Sequence, residues 1–250
     1  MAGAMRWRLM IPAWLHWISI LSLIFAAVAA AWTVRDVLRH PPMMKIMAVV
    51  WPMTVLWGGP IGLWLYLSLG RATGMDHGAM DHHDMKDMPE APFPAAVAKG
   101  ATHCGAGCAM GDIAAEWLAY LVPAITVWLG YGTLFSDRIF AVWILDFIFA
   151  FGLGIVFQYF AIVPMRGLSP GAGILAAIKA DALSLLSWQV GMYGFMAIAH
   201  FWIFERVLQT SLDVPTAEFW FMMQIAMLCG FMTAYPVNWW LIRAGIKERM

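Results

Sequence analysis

The chain has 250 residues, of which 62% are hydrophobic and 12% charged, with no formal net charge. A soluble domain is about a quarter charged, so this composition, with a mean hydropathy of +0.74, places the chain in a lipid bilayer. The absent net charge gives no reason to expect a nucleic-acid partner, and three cysteines make no disulfide framework.

A helix needs about 20 apolar residues to span a bilayer. Six runs meet that length, at 11–34, 46–69, 112–134, 139–163, 174–204 and 217–242. The expected fold is therefore all-α, a polytopic membrane bundle of six transmembrane helices. The first run is longer than a signal-peptide core and reads as an uncleaved helix despite Arg6 and Arg8 before it. Pro236, in Tyr235-Pro236-Val237-Asn238, is expected to break the sixth helix. The organisation expected is a two-helix segment at 1–70, a mobile Met/His-rich loop at 71–101 and a four-helix membrane domain at 102–250. With six crossings, Lys and Arg gather on the side of the N-terminus, which predicts that both termini are cytoplasmic.

Chemistry concentrates around that loop. Thr102-His103-Cys104-Gly105-Ala106-Gly107-Cys108-Ala109-Met110-Gly111-Asp112 joins two cysteines, an imidazole, a thioether and a carboxylate. Cys-x-x-x-Cys is not the spacing of redox folds or zinc ribbons. As a glycine-rich loop it would aim His103, Cys104 and Cys108 at one point, with Met110 as a further soft donor. As a helix, Cys104, Cys108, Asp112 and Glu116 would instead stack along one face. Two thiolates with an imidazole suit Cu(I), and zinc is a second candidate. Upstream, Met80 and Met85 interleave with His77, His82 and His83 as exchangeable donors. That tract is similar to the Met/His-rich segments of bacterial copper-resistance proteins.

Ionisable and polar groups within the apolar runs are costly and mark function. Asp112, Glu116, Asp146, Gln158, Asp181, Met192, Met196 and His200 form a candidate pathway. Met192, Met196 and His200 follow at helical i+4 steps, and Met223 and Met227 repeat that spacing. This Met-x-x-x-Met pattern resembles the thioether step of eukaryotic copper importers, although gap-filling is the usual work of core methionines.

Taken together, His103-Cys104-Gly105-Ala106-Gly107-Cys108, Phe157-Gln158-Tyr159-Phe160-Ala161-Ile162, Lys179-Ala180-Asp181-Ala182-Leu183-Ser184, Gly191-Met192-Tyr193 and Tyr235-Pro236-Val237-Asn238-Trp239-Trp240 resemble a bacterial membrane family, domain of unknown function 4396. The resemblance covers about 102–250 and implies a bacterial inner-membrane location but no activity. Ala109-Met110 after the second cysteine departs from the family pattern and adds a soft donor.

The expected function is binding of a soft metal, Cu(I) first, for transport or sequestration, rather than enzymatic catalysis. The partners are the bilayer, the ion and a copper chaperone, and the bundle can oligomerise. A thiol–disulfide oxidoreductase using Cys104 and Cys108, a haem carrier using His16 and His200, and a structural partner without chemistry are the alternatives. Neither a phosphate-binding loop nor the Asp-Lys-Thr-Gly phosphorylation motif of P-type pumps is present, so ATP-driven pumping by this chain alone is excluded.

Overall fold

The computed structural model describes residues 11–42, 44–71 and 92–248. Among them the fold is all-helical. Helix α1 is Ala13–Arg39, α2 Met47–Leu65 with a π-helical extension Tyr66–Gly70, and α3 Phe93–Leu121. The short α4 is Ala124–Trp128, α5 is Arg138–Arg166, α6 is Pro170–Ala197 with a π-helical extension Ile198–Val207, and α7 is Ala217–Arg243. Five helices are long and apolar enough to cross a membrane: α1, α2, α5, α6 and α7 with their extensions. This is a multi-pass membrane protein.

The third long helix differs from expectation. It starts at Phe93 rather than near residue 112, so 93–101 belongs to a helix and not to a loop. Pro123 follows its end, where the chain turns through α4 towards α5. The cysteine motif lies in mid-helix, and the helical alternative is the one realised. Most of α3 is buried, because it carries too many polar groups to face lipid and the other helices surround it. Gly107 and Gly111 permit this. A Cβ on Gly107 would lie 2.8 Å from the Gly154 Cα of α5, and one on Gly111 would meet the Ala150 backbone. This is the small-residue packing of membrane helices, which brings two backbones together. Gly107, with Gly105, was expected to make a tight loop.

The second apolar run does not cross as one rod. Gly59 has φ 53° and ψ −128°, a conformation that favours glycine, and the helix reverses there. Trp51 and Tyr66 stand 5.7 Å apart by ring centroids, whereas 15 residues of straight helix would separate them by about 22 Å. Gly62 packs against the Thr54 backbone, and Gly70 against the Trp51 ring. The returning limb ends where α1 ends, since Tyr66 donates to Asp36 at 2.7 Å and Arg71 pairs with the same carboxylate at 3.0 Å. Each limb is about 16–18 Å long, half of a bilayer core. The tip rests in the middle of the bundle, where Trp57 meets Trp188 edge-on at 5.3 Å.

This hairpin alters the topology. With α2 re-entrant, α1 and α7 run parallel: His16 bonds Glu218 at 2.6 Å and Ser22 bonds Gln224 at 2.7 Å. Lys247, just beyond the far end of α7, sits instead beside Gly100 near the start of α3. The described ends of the chain therefore lie at opposite ends of the bundle. Sharing of one side by both termini, expected from six crossings, does not fit this arrangement. Helix α7 also continues through Pro236 without a break.

Two outcomes check the hairpin. In a Cys229→Ser background, Ile11→Cys and Ser211→Cys are expected to react with an impermeant maleimide from one side, and Ala244→Cys from the other. Reaction of Ile11→Cys and Ala244→Cys from the same side would contradict the fold. Gly59→Ala is expected to lower stability by about 1–3 kcal/mol, the cost of a strained backbone, read as thermal unfolding in detergent.

Candidate functional site: a polar seam along the central helix

Cys104, Cys108, Asp112 and Glu116 are spaced by one helical turn, and all four side chains are buried. They form a seam along α3 about 18 Å long.

At its upper end, the end of the bundle holding the start of α3, the Cys104 thiol donates to Asp181 Oδ1 at 2.8 Å. It also lies 3.0 Å from the Ser184 hydroxyl. Lys247 Nζ reaches the same Asp181 oxygen at 2.6 Å and the Cys104 sulfur at 3.1 Å. Asn238 Nδ2 completes the group by donating to Ser184 at 2.6 Å. Three helices and the segment after α7 converge here with no side-chain exposure at Lys247 or Asp181. Burial works against the charge on Lys247, and Asp181 and the Cys104 thiol outweigh it, so its pKa stands above the ordinary lysine value. Asp181 Oδ2 and Asn238 Oδ1 still have no hydrogen-bond partner. The cluster therefore has unused acceptors.

Towards the lower end, Asp112, Glu116 and Asp146 are buried together and interact electrostatically. Both Asp112 oxygens and Asp146 Oδ1 lack partners. Arg138 is the basic group acting on Glu116, but it donates to the Ala119 carbonyl at 2.6 Å. Nearby, a cavity of about 320 Å³ opens among α1, the hairpin tip, α3 and α7, with Asp112 in its wall.

The expected donors are distributed as follows. His103 points away from Cys104 towards α5, its ring 6.0 Å from Phe157, and neither ring nitrogen has a side-chain partner. Met110 packs with Trp51 and Ala106 in a cluster separate from the one holding both cysteines. A helix turns each residue about 100° from the last, so His103, Cys104, Cys108 and Met110 do not converge on one point as the loop reading required. Met192 and Met196 share a core cluster with the two cysteines, Met223 and Met227. Gln158 is buried with both amide atoms unpartnered. His77, Met80, His82, His83 and Met85 lie outside the described residues.

His200 leaves the thioether row. The π-helical turn Ile198–Val207 shifts its register, and its Nε2 faces Glu205 at 3.2 Å and Asp137 at 3.7 Å. Among the described residues these three are the group of His, Cys and acidic donors close enough to share an ion. His16 is engaged by Glu218, so both histidines of the haem alternative have carboxylate partners. All three cysteines are free thiols, and burial shields Cys104 and Cys108 from exchange with another protein.

Lys247 was missed by sequence reasoning, which counted it as a surface charge. It lies beyond the last apolar run, where nothing local marks burial. Its partners Cys104 and Asp181 do stand in the quoted family segments, as do the neighbouring Ser184 and Asn238.

Lys247→Met is expected to destabilise the protein by about 3–5 kcal/mol, because Asp181 is left as an unpaired buried charge. Adding Asp181→Leu is expected to recover most of that loss in thermal unfolding. A single variant melting like the wild type would contradict the ion pair.

Nothing matches the chain among curated proteins or solved structures. The family model described as Domain of unknown function (DUF4396) matches residues 95–247, from the first turn of α3 to the buried lysine, and includes both ends of the seam. The chain belongs to that family.

Proposed function

We propose that this protein moves a small cation through the membrane along the α3 seam, with Cu(I) as its cargo. The observation that carries the reading is the unbroken line Cys104, Cys108, Asp112 and Glu116, buried at every step. Placing such groups in a membrane interior is expensive, and pathways are where membrane proteins retain them.

The donors favour a soft ion. Two thiols and the thioethers of Met192, Met196, Met223 and Met227 lie in one core cluster, and sulfur ligands select Cu(I). A structural zinc site closes four ligands around one point, whereas the seam offers its donors one or two at a time. That suits an ion passed onward at low coordination. Thiols must lose protons to bind, so affinity is expected to fall as pH drops.

The corrected topology also suggests an orientation. Arg35, Arg39, Lys45, Arg71 and Arg243 flank the helices at the upper end, which by the positive-inside rule faces the cytoplasm of a bacterial inner membrane. The cavity beside Asp112 then belongs to the outer half. A copper chaperone would meet the protein at the Lys247 end.

The test is copper accumulation by proteoliposomes under reducing conditions. Wild-type vesicles are expected to take up Cu(I) well above protein-free vesicles. Cys104→Ser and Asp112→Asn are each expected to lower the rate at least tenfold. Wild-type vesicles that pass protons but no copper would overturn the cargo, and full flux in the Cys104→Ser, Cys108→Ser double variant would overturn the seam.

A further inference from the structure

The half-membrane hairpin fills only the upper part of the space between α1, α3 and α7. Below its tip lies the cavity of about 320 Å³, a volume in the range of small-molecule sites. Its walls are aliphatic and aromatic, and its polar lining residues are Asp112 and Gln224. Gln224 is already engaged, donating to the Leu56 carbonyl at 2.9 Å and accepting from Ser22 at 2.7 Å. Asp112 is 1% exposed, and neither of its oxygens has a partner.

We infer that this cavity binds a hydrophobic organic cation whose charge sits against Asp112. The site holds further carboxyl groups, because Glu116 and Asp146 are buried with Asp112 and Arg138 is the base that acts on Glu116. A hard metal ion needs several converging oxygen donors, and apart from Asp112 and the engaged amide the lining side chains are Leu, Ala, Ile, Trp and Met. A ligand that carries its own apolar body needs no such shell. Trp117 and Trp220 stack at 6.2 Å and 15° and line the same cavity with Trp57. Indole faces attract ammonium-type cations. Carboxyl group, aromatic wall and a half-open apolar volume together describe a quaternary or aryl-alkyl ammonium. The inference uses the acidity of the seam but does not depend on the ion that travels along it.

The experiment uses the full chain in detergent with benzyltrimethylammonium as probe and neopentylbenzene as its uncharged shape analogue. Saturable quenching of tryptophan fluorescence is expected for the cation, with at least tenfold weaker binding of the neutral analogue. Asp112→Asn is expected to weaken cation binding at least tenfold with unchanged thermal unfolding, and Asp112→Glu to restore the preference for charge. Equal binding of the two probes, or unchanged affinity in Asp112→Asn, would overturn the site. Should Asp112→Asn fail to fold, Trp117→Leu is read instead: a several-fold loss for the cation supports the site, and no loss overturns it. Copper flux is measured separately in vesicles, so failure of that reading is distinguishable from failure of this one.

Discussion

Helix α3 cannot face lipid, and the rest of the bundle follows from that constraint. It carries a histidine, two cysteines, an aspartate and a glutamate in mid-membrane, and a bilayer offers no water to satisfy them. Neighbouring helices must therefore cover it and supply partners. Gly107 and Gly111 bring α5 to backbone contact on one side. On another, α6, α7 and the tail after α7 deliver Asp181, Ser184, Asn238 and Lys247 to Cys104. The central helix is thus the least apolar of the long ones, which is why it is missing from those long and apolar enough to cross by composition alone.

The hairpin of α2 serves the same constraint. By turning at Gly59 it lays two short limbs over the upper half of α1 and α3, and leaves the lower half open beside Asp112. A full crossing at that position would fill the cavity. Its reversal also sets α1 parallel to α7, so the position of one glycine decides on which side of the membrane the N-terminal end of α1 lies. The upper cluster and the lower carboxylates consequently have different surroundings: one is closed by an ion pair, the other adjoins an apolar cavity.

Much of this was legible in the sequence. Composition gave an all-helical membrane protein, and the i+4 spacing of Cys104, Cys108, Asp112 and Glu116 already described the seam once a helix was assumed. The approach of Asp181 to Cys104 was not legible, because contact across 77 residues is a tertiary fact. Hydropathy also cannot tell a crossing from a hairpin of equal length, so Gly58-Gly59-Pro60 passed as part of a span. Counting apolar residues set the start of α3 too late, since Phe93 to Gly111 is helical for reasons of packing rather than lipid contact. His200 moved away from the methionines because a π-turn, which a 3.6-residue period does not anticipate, rotated it towards Asp137 and Glu205.

The account stands or falls on whether a soft ion reaches the buried thiols through the protein. Silver(I), which shares the ligand preferences of Cu(I), can be offered to folded protein carrying Cys229→Ser, and the thiols then counted after unfolding. The account predicts that silver protects both Cys104 and Cys108, that a bulky charged maleimide labels neither, and that Asp112→Asn slows the silver reaction at Cys108. Thiols that remain wholly unprotected after prolonged exposure of the folded protein to silver would contradict it.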